Sequence, residues 1–360
     1  MQTNYRSSLR KKIHAAESGN ILYIPDKYLG HTLSLNAKSF FFRKYSKEHY
    51  YTNNFGWRVN FNKTKEYKFD FFIAGASLAL GTGIEFKDTI GNLLSKRINK
   101  KIANLGVANY SDTQILRKID ISATKTKPKV VIILFEDFMS RNFKQSGLLD
   151  ISHRPFFKRN IETNNYKLIE PNIIPYFLFK RFVNLEKKKR LKKLNFFNKI
   201  EKGILWFSFQ FQNKRITNFI LRIIGFNKYE YIKTDDKNGR VFILNFIGEK
   251  INQLVKKYNF KVLIYPIYPY MGTKKRINRF YKEIDLLSKI IKKQKNSYKI
   301  LINKTKDLEK AHNLFFKKNK IKNKEFIGTL QWPDNNHPTP KGTKIIAECI
   351  YKTIKKLKIT

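Results

Sequence analysis

The strongest constraint in this sequence is a strand–helix alternation that begins near residue 68, breaks off near 142 and resumes after 240. Residues 69–74 form a short apolar run, followed by a glycine-rich turn over 75–83. Asp88 is placed to cap a helix that buries Ile90, Leu93, Leu94 and Ile98. A strand over 102–105 and a helix over 113–123, with Ile115, Leu116 and Ile119 on one face, come next. Pro128 precedes the β-branched run 130–135, of the kind found in strands buried on both faces. After residue 240 the spacing predicts a helix over 241–258, a strand over 261–267 and a helix over 276–293. A strand over 299–302 follows, and a closing helix over 341–356 carries Ile345, Ile346, Cys349, Ile350 and Ile354. Repeated strand–helix–strand units imply an α/β fold, a three-layer doubly wound and mostly parallel sheet.

Between the two halves the strand patterning fails. Residues 143–240 contain helical candidates at 176–197 and 204–224 and the basic cluster Lys187-Lys-Lys-Arg190, and read as a helical insertion. Residues 1–67 are aromatic, polar and weakly patterned, an N-terminal lobe of short strands or irregular chain. The α/β domain is thus expected over 68–142 and 241–360.

Two local features can carry chemistry. Ser77 follows the first core strand directly, inside the glycine-rich turn, and doubly wound sheets bind ligands at the carboxyl ends of their strands. Small residues there also serve tight turns, so Ser77 alone decides nothing. The second feature is Trp332-Pro-Asp-Asn-Asn-His-Pro-Thr-Pro-Lys-Gly342, just before the last helix. Asp334 and His337 are three apart, a spacing that lets a carboxylate orient an imidazole acting as general base on a distant serine. The plainer reading is a turn in which Asp334 caps a loop amide.

Together the two features resemble the SGNH/GDSL-type serine hydrolases, whose blocks occur in this order. Gly75-Ala-Ser77 with Gly81 and Gly83 is similar to the first block. Asn104-Leu-Gly-Val-Ala-Asn-Tyr-Ser-Asp-Thr-Gln114 is similar to the second, and Asp334-Asn-Asn-His337-Pro with Gly342 and Ala347 to the last. Upstream, Asn53-Asn-Phe-Gly-Trp-Arg58 resembles the Asn-x-x-Gly-x-Arg segment before the nucleophile strand. The resemblance covers about residues 50–142 and 241–357 and implies a flavodoxin-like sheet order. It implies Ser77 as nucleophile, His337 as general base and then acid, and Asp334 as its orienter. The backbone N–H groups of Ser77 and Asn109 are the implied oxyanion donors. The implied reaction is hydrolysis of an acyl ester, a short acyl or O-acetyl group on a carbohydrate or lipid. An O-acyltransferase using the same triad, or a non-catalytic protein of this fold binding an anionic glycan or membrane surface, are the alternatives.

The sequence departs from the family pattern at three points. Ala76 stands where the family has Asp, a side chain outside the triad. Asn109 stands at a glycine position, and Asn tolerates positive φ better than other non-glycine residues. The strand end Ile133-Leu-Phe-Glu-Asp-Phe-Met-Ser-Arg-Asn142 lacks the asparagine that supplies the family's side-chain oxyanion donor. Glu136, Asp137 or Phe138 falls near that position, and a carboxylate there repels an oxyanion unless it is protonated or turned away. Asn142 lies several residues too far along.

Composition narrows the partners. The chain of 360 residues has 74 Lys+Arg against 27 Asp+Glu, a net charge of +47. The charge is spread as +13 over residues 1–142, +14 over 143–240 and +20 over 241–360. No zinc finger, stacking-aromatic signature or single basic stripe accompanies it, so nucleic acid is not the expected partner. A generally basic surface is the first reading of this charge, and contact with an acidic glycan or anionic membrane surface the alternative. The basic aromatic stretch 204–226 is likewise read first as a helix packed on its own domain, with a membrane interface as the alternative. Biased codon use competes as the origin of the lysines.

With one cysteine, Cys349, a disulfide framework is excluded. His14, His31, His49, His153 and His312 are scattered without ligand spacing, and Gly81-Thr-Gly83 is too short for a phosphate loop. Neither metal nor cofactor is expected. No run approaches the ~20 apolar residues of a membrane span, and the first residues lack the apolar core of a signal peptide. A cytoplasmic protein, peripheral at most to a membrane, is the expectation.

Overall fold

The computed structural model describes residues 16–19, 21–42, 47–61, 68–137, 139–144, 154–171, 175–190, 195–212, 229–231, 236–267, 274–319, 329–332 and 337–359. The N-terminal part supplies strands β1 (Ala16–Gly19), β2 (Tyr23–Asp26), β3 (Gly30–Leu33), β4 (Lys38–Phe42), β5 (Lys47–Thr52) and β6 (Arg58–Val59). The alternation follows as β7 (Phe71–Ala74), the single turn α1 (Ser77–Leu80), α2 (Ile90–Ile98), β8 (Ile102–Asn104), α3 (Asp112–Ala123) and β9 (Val130–Glu136). Residues 143–240 hold β10 (Phe156–Asn160), β11 (Tyr166–Ile169), α4 (Tyr176–Arg190), α5 (Phe196–Gln212) and β12 (Tyr229–Tyr231). The chain then runs through α6 (Lys237–Tyr258), β13 (Lys261–Ile267), α7 (Lys274–Lys292), β14 (Ile300–Ile302), α8 (Asp307–Lys318) and α9 (Pro340–Lys356).

The main sheet has the order β1-β4-β5-β6-β8-β7-β9-β13-β14. From β8 to β14 every pairing is parallel, and from β1 to β8 every pairing is antiparallel. In chain order the parallel strands stand second, first, third, fourth, fifth, the flavodoxin-like arrangement. All seven residues of β9 are buried, as are the last six of β13, which explains why both runs are continuously apolar up to their ends. Helices α3, α6 and α7 pack in sequence on one face, and α2, α9 and α8 on the other. This is the expected three-layer α/β fold. The N-terminal strands extend the same sheet through the pairing of Arg58 with Asn104. Buried Trp57 packs against Phe69 and Phe72 and donates its indole N–H to Ser122 Oγ at 3.2 Å.

Three local expectations need correction. The cap of α2 is Thr89, whose side chain accepts from Asn92 N, while Asp88 ends a 3₁₀ turn one residue earlier. The region 143–240 also contains strands: β10 pairs antiparallel with β11 and β12. Its pattern hides this because Phe156, Phe157 and Lys158 are buried consecutively, not alternately. Phe157 packs on Phe242 and Phe246 of α6, and Tyr166 stacks on Phe242. The helices of this region differ from the expected 176–197 and 204–224: α4 ends at Arg190 and α5 begins at Phe196, the two joined by the Arg181–Glu201 ion pair at 2.6 Å, and residues 213–224 lie outside the described residues. Most of the basic aromatic stretch 204–226 lies outside the described residues. No helix among the described residues is long and apolar enough to cross a membrane.

Candidate active site

Strand β7 delivers Ser77 to the carboxyl edge of the sheet, and β9 beside it ends on Glu136. The chain crosses from one face to the other around these two strands, so their ends form the topological switch point where doubly wound folds place ligands. Ser77 opens the one-turn helix α1 and is 9% exposed. Gly81 closes that turn at φ 79°, a left-handed position that favours glycine.

The turn is locked from behind by a buried guanidinium. Asn53 Oδ1 accepts from the N–H groups of Phe55 and Trp57, and Gly56 has φ 69°; this bend directs Arg58 inward. Arg58 Nη1 donates to the carbonyls of Leu80 at 2.8 Å and Gly81 at 2.7 Å. Its Nη2 donates to those of Ile84 at 2.7 Å and His49 at 3.1 Å, and the group lies 4.0 Å over the Tyr50 ring. Glu48 accepts from Gly83 N at 2.9 Å and from the Tyr50 hydroxyl. The Asn-x-x-Gly-x-Arg segment therefore holds the carbonyls that follow Ser77. Asn104 adds a second clasp, donating to Ala79 O at 2.7 Å and accepting from Gly106 N at 2.9 Å. A Cβ on Gly106 would sit 2.1 Å from Leu80 N, so only glycine lets the two turns approach.

Asn109 has φ 64°, a left-handed conformation that Asn accepts better than most non-glycine residues. Its neighbours are fixed: Ala108 O lies 3.1 Å from His31 Nε2, and Tyr110 O accepts from Arg141 at 3.0 Å. Ser111 and Gln114 then form a reciprocal capping box for α3.

The end of β9 separates the candidate residues. Asp137 turns away from Ser77 into a basic cluster, 2.5 Å from Arg276, 3.7 Å from Arg240 and 3.8 Å from Arg279. Arg240, itself buried, also pairs with Glu283 at 2.5 Å. Glu136 turns the other way. A backbone hydrogen bond from Ala76, the residue before Ser77, reaches its carboxyl group, and Arg141 and Asp112 are its charged neighbours. Burial pushes the Glu136 carboxyl up to about 7 and that of Asp112 up to about 6. Asn142 is fully occupied: its amide N donates to Asp112 at 2.8 Å and Met139 O at 3.0 Å, and its oxygen accepts from Thr113 N and Oγ1. Phe138 lies outside the described residues.

His337 is half-buried in the loop leading into α9. That loop closes on itself: Trp332 N donates to His337 O at 2.8 Å, Gln331 bridges Pro338, and Thr339 caps the helix with Pro340 in its first turn. A Cβ on Gly342 would sit 2.3 Å from Leu330 O, so this glycine permits the close return. Asp334 lies outside the described residues. Helix α9 lies beside α2, where Arg97 pairs with Glu348 at 3.1 Å and stacks on Tyr351. The structure thus gathers Ser77, Glu136 and the Asn104 clasp at one sheet edge. The sequence marks Arg58 by its segment but not the carbonyls it holds, and Arg141 and Asp112 are ordinary polar residues there; burial distinguishes Asp112, and contact with the Tyr110 carbonyl distinguishes the half-buried Arg141.

No protein-family model matches the sequence, and no curated protein matches it. Among solved structures the chain is similar to that of TesA, with 11% identity over 80% of this chain and 98% of that one and a TM-score of 0.38. It is also similar to a protein from Desulfitobacterium hafniense DCB-2 described as lipolytic and of the G-D-S-L family, with 13% identity over 80% and 99% and a TM-score of 0.37.

Proposed function

We propose that this protein is a serine hydrolase of acyl esters in which Ser77 is the nucleophile. The observation that carries the reading is the position of Ser77 at the switch point, on a turn held rigid by Arg58 and opened by Gly106. Rigid support on this scale is what a nucleophile needs and a plain connecting turn does not.

In the proposed reaction Ser77 Oγ attacks the ester carbonyl carbon while its proton passes to His337. The carbonyl electron pair moves onto oxygen, and the backbone N–H groups of Ser77 and Asn109 receive that oxyanion. Collapse expels the alcohol, protonated by His337, and leaves an acyl-Ser77 ester. Water, activated by the same imidazole, then releases the acid. Asp334 orients His337, a role that rests on their three-residue spacing. The substrate is a short acyl or O-acetyl ester on a carbohydrate or lipid, and the charge of +47 favours one displayed on an acidic glycan or anionic membrane surface. If a sugar hydroxyl replaces water in the second half, the same residues perform acyl transfer.

The test is active-site labelling with a fluorophosphonate, the modified peptide identified by mass spectrometry. An adduct on Ser77, and loss of p-nitrophenyl acetate turnover by about 10⁴-fold or more in Ser77→Ala and His337→Ala, is expected. Folded wild-type protein that never labels at Ser77 overturns the reading.

A further inference from the structure

Among the described residues, the proposed oxyanion site has backbone donors and no assigned side-chain donor. The residue at the end of β9 that faces the Ser77 turn is Glu136, and Asn142, the first amide to follow it in the chain, has both ends engaged. Glu136 is 7% exposed, and its Oε1 is buried without a hydrogen-bond partner among the described residues. A buried carboxyl oxygen left unpaired is expensive if the group is charged, and far less so if it carries a proton. The contrast with its neighbour is direct: Asp137 has three guanidinium groups within 4 Å, whereas the charged neighbours of Glu136 are Arg141 on the following 3₁₀ turn and Asp112 at the head of α3. Arg141 is partly engaged by Tyr110 O, and Asp112 is a like charge.

We propose that Glu136 stands as a neutral carboxylic acid and donates its O–H to the oxyanion formed at Ser77, as the side-chain donor of the oxyanion hole. This rests on the reading of Ser77 as nucleophile. The step moves no proton off Glu136: the hydrogen bond shortens as the carbonyl oxygen gains charge and relaxes when the alcohol leaves. A carboxylic acid kept neutral by an apolar site is a competent oxyanion donor, and an ionised one is repulsive. Burial sets the switch between these two states near pH 7, so acylation weakens as pH rises through that value.

The experiment measures the acylation rate with p-nitrophenyl acetate from pH 5.5 to 8.5, together with fluorophosphonate mapping and difference infrared spectra of the buried acid. Wild type is expected to lose rate above about pH 7 as a protonated-carboxyl band disappears. Glu136→Gln keeps an N–H donor: its rate at low pH stays within about tenfold of wild type, it loses the part of the band that titrates near pH 7 and keeps only the lower-titrating part of Asp112, and its alkaline decline vanishes. Glu136→Ala loses about 10²–10³-fold at low pH. Identical pH profiles for wild type and Glu136→Gln, or a Glu136→Ala rate equal to wild type, overturn the role of Glu136 while Ser77 still labels. Absence of a Ser77 adduct in wild type overturns the nucleophile reading, and this proposal with it. If Glu136→Ala fails to fold, the infrared titration and the Gln variant decide between the outcomes.

Discussion

Two consecutive carboxyl groups end the central strand and face different regions of the molecule. On the side of α6 and α7, Asp137 and Glu283 are embedded among Arg240, Arg276 and Arg279, each charge answered at short range. On the side of the Ser77 turn, Glu136 meets a backbone amide, one shared arginine and a second acid. One side therefore fastens the insertion's exit helix to the sheet by ionic contact, and the other is left electrostatically unfinished. Unfinished polarity beside a rigid turn is the kind of cost that a ligand's own charge can offset.

Substitutions separate the two regions by size of effect. Arg240→Met leaves Asp137 and Glu283 buried with fewer partners and is expected to cost about 3 kcal/mol or more in urea denaturation. The double change Arg240→Met with Glu283→Leu should recover at least half of that, because the uncompensated charge is gone. If the single variant is as stable as wild type, the arginine side is not an obligatory pairing and the contrast fails.

The Ser77 side should behave in the opposite sense. With Glu136 raised from 4.5 to about 7 in the folded state, the folded protein binds the proton more tightly than the unfolded chain. Stability is therefore highest below the unfolded value and falls as pH rises toward 7, by up to about 3 kcal/mol at roughly 1.4 kcal/mol per pH unit. Asp112, raised from 3.8 to about 6, contributes in the same direction over a lower range. Glu136→Gln removes the Glu136 share of the decline, between about pH 4.5 and 7, and leaves that of Asp112, checked by urea midpoints at pH 5 and 8.

The smallest effect belongs to the second turn. Asn109→Gly should change stability by about 1 kcal/mol or less, since both residues accept φ 64°, whereas Asn109→Val should lose about 1–2 kcal/mol. Thermal melts of the two variants test whether that turn, unlike the strand end, is governed by backbone geometry alone.

Much of the fold is legible in the chain because parallel strands buried on both faces must be continuously apolar. The runs at β7, β9 and β13 announce themselves for that reason. The place of Ser77 after the first core strand is legible because such a run must end at the carboxyl edge of the sheet, whereas Asn109 is reached through the resemblance and its φ of 64° is known only from the structure. The strands of 143–240 are not legible: Phe156, Phe157 and Lys158 are buried side by side, and partners of β10 come from about seventy residues away in β12 and from α6. Asp88 is the stronger cap by residue type, but the chain makes a 3₁₀ turn through it, so the helix starts one residue later and Thr89 caps it.

The sequence by itself thus determined the layers and the order of elements in the parallel half, because hydrophobic period is a local property. Tertiary structure alone decided which way Glu136 and Asp137 face, and which of two neighbouring acids meets arginines. Successive side chains on a strand point to opposite sides, but what waits on each side is supplied by residues distant in the chain. The charge state of a buried carboxyl depends on those distant neighbours and on the loss of water around it, and neither is written in the residue's own position.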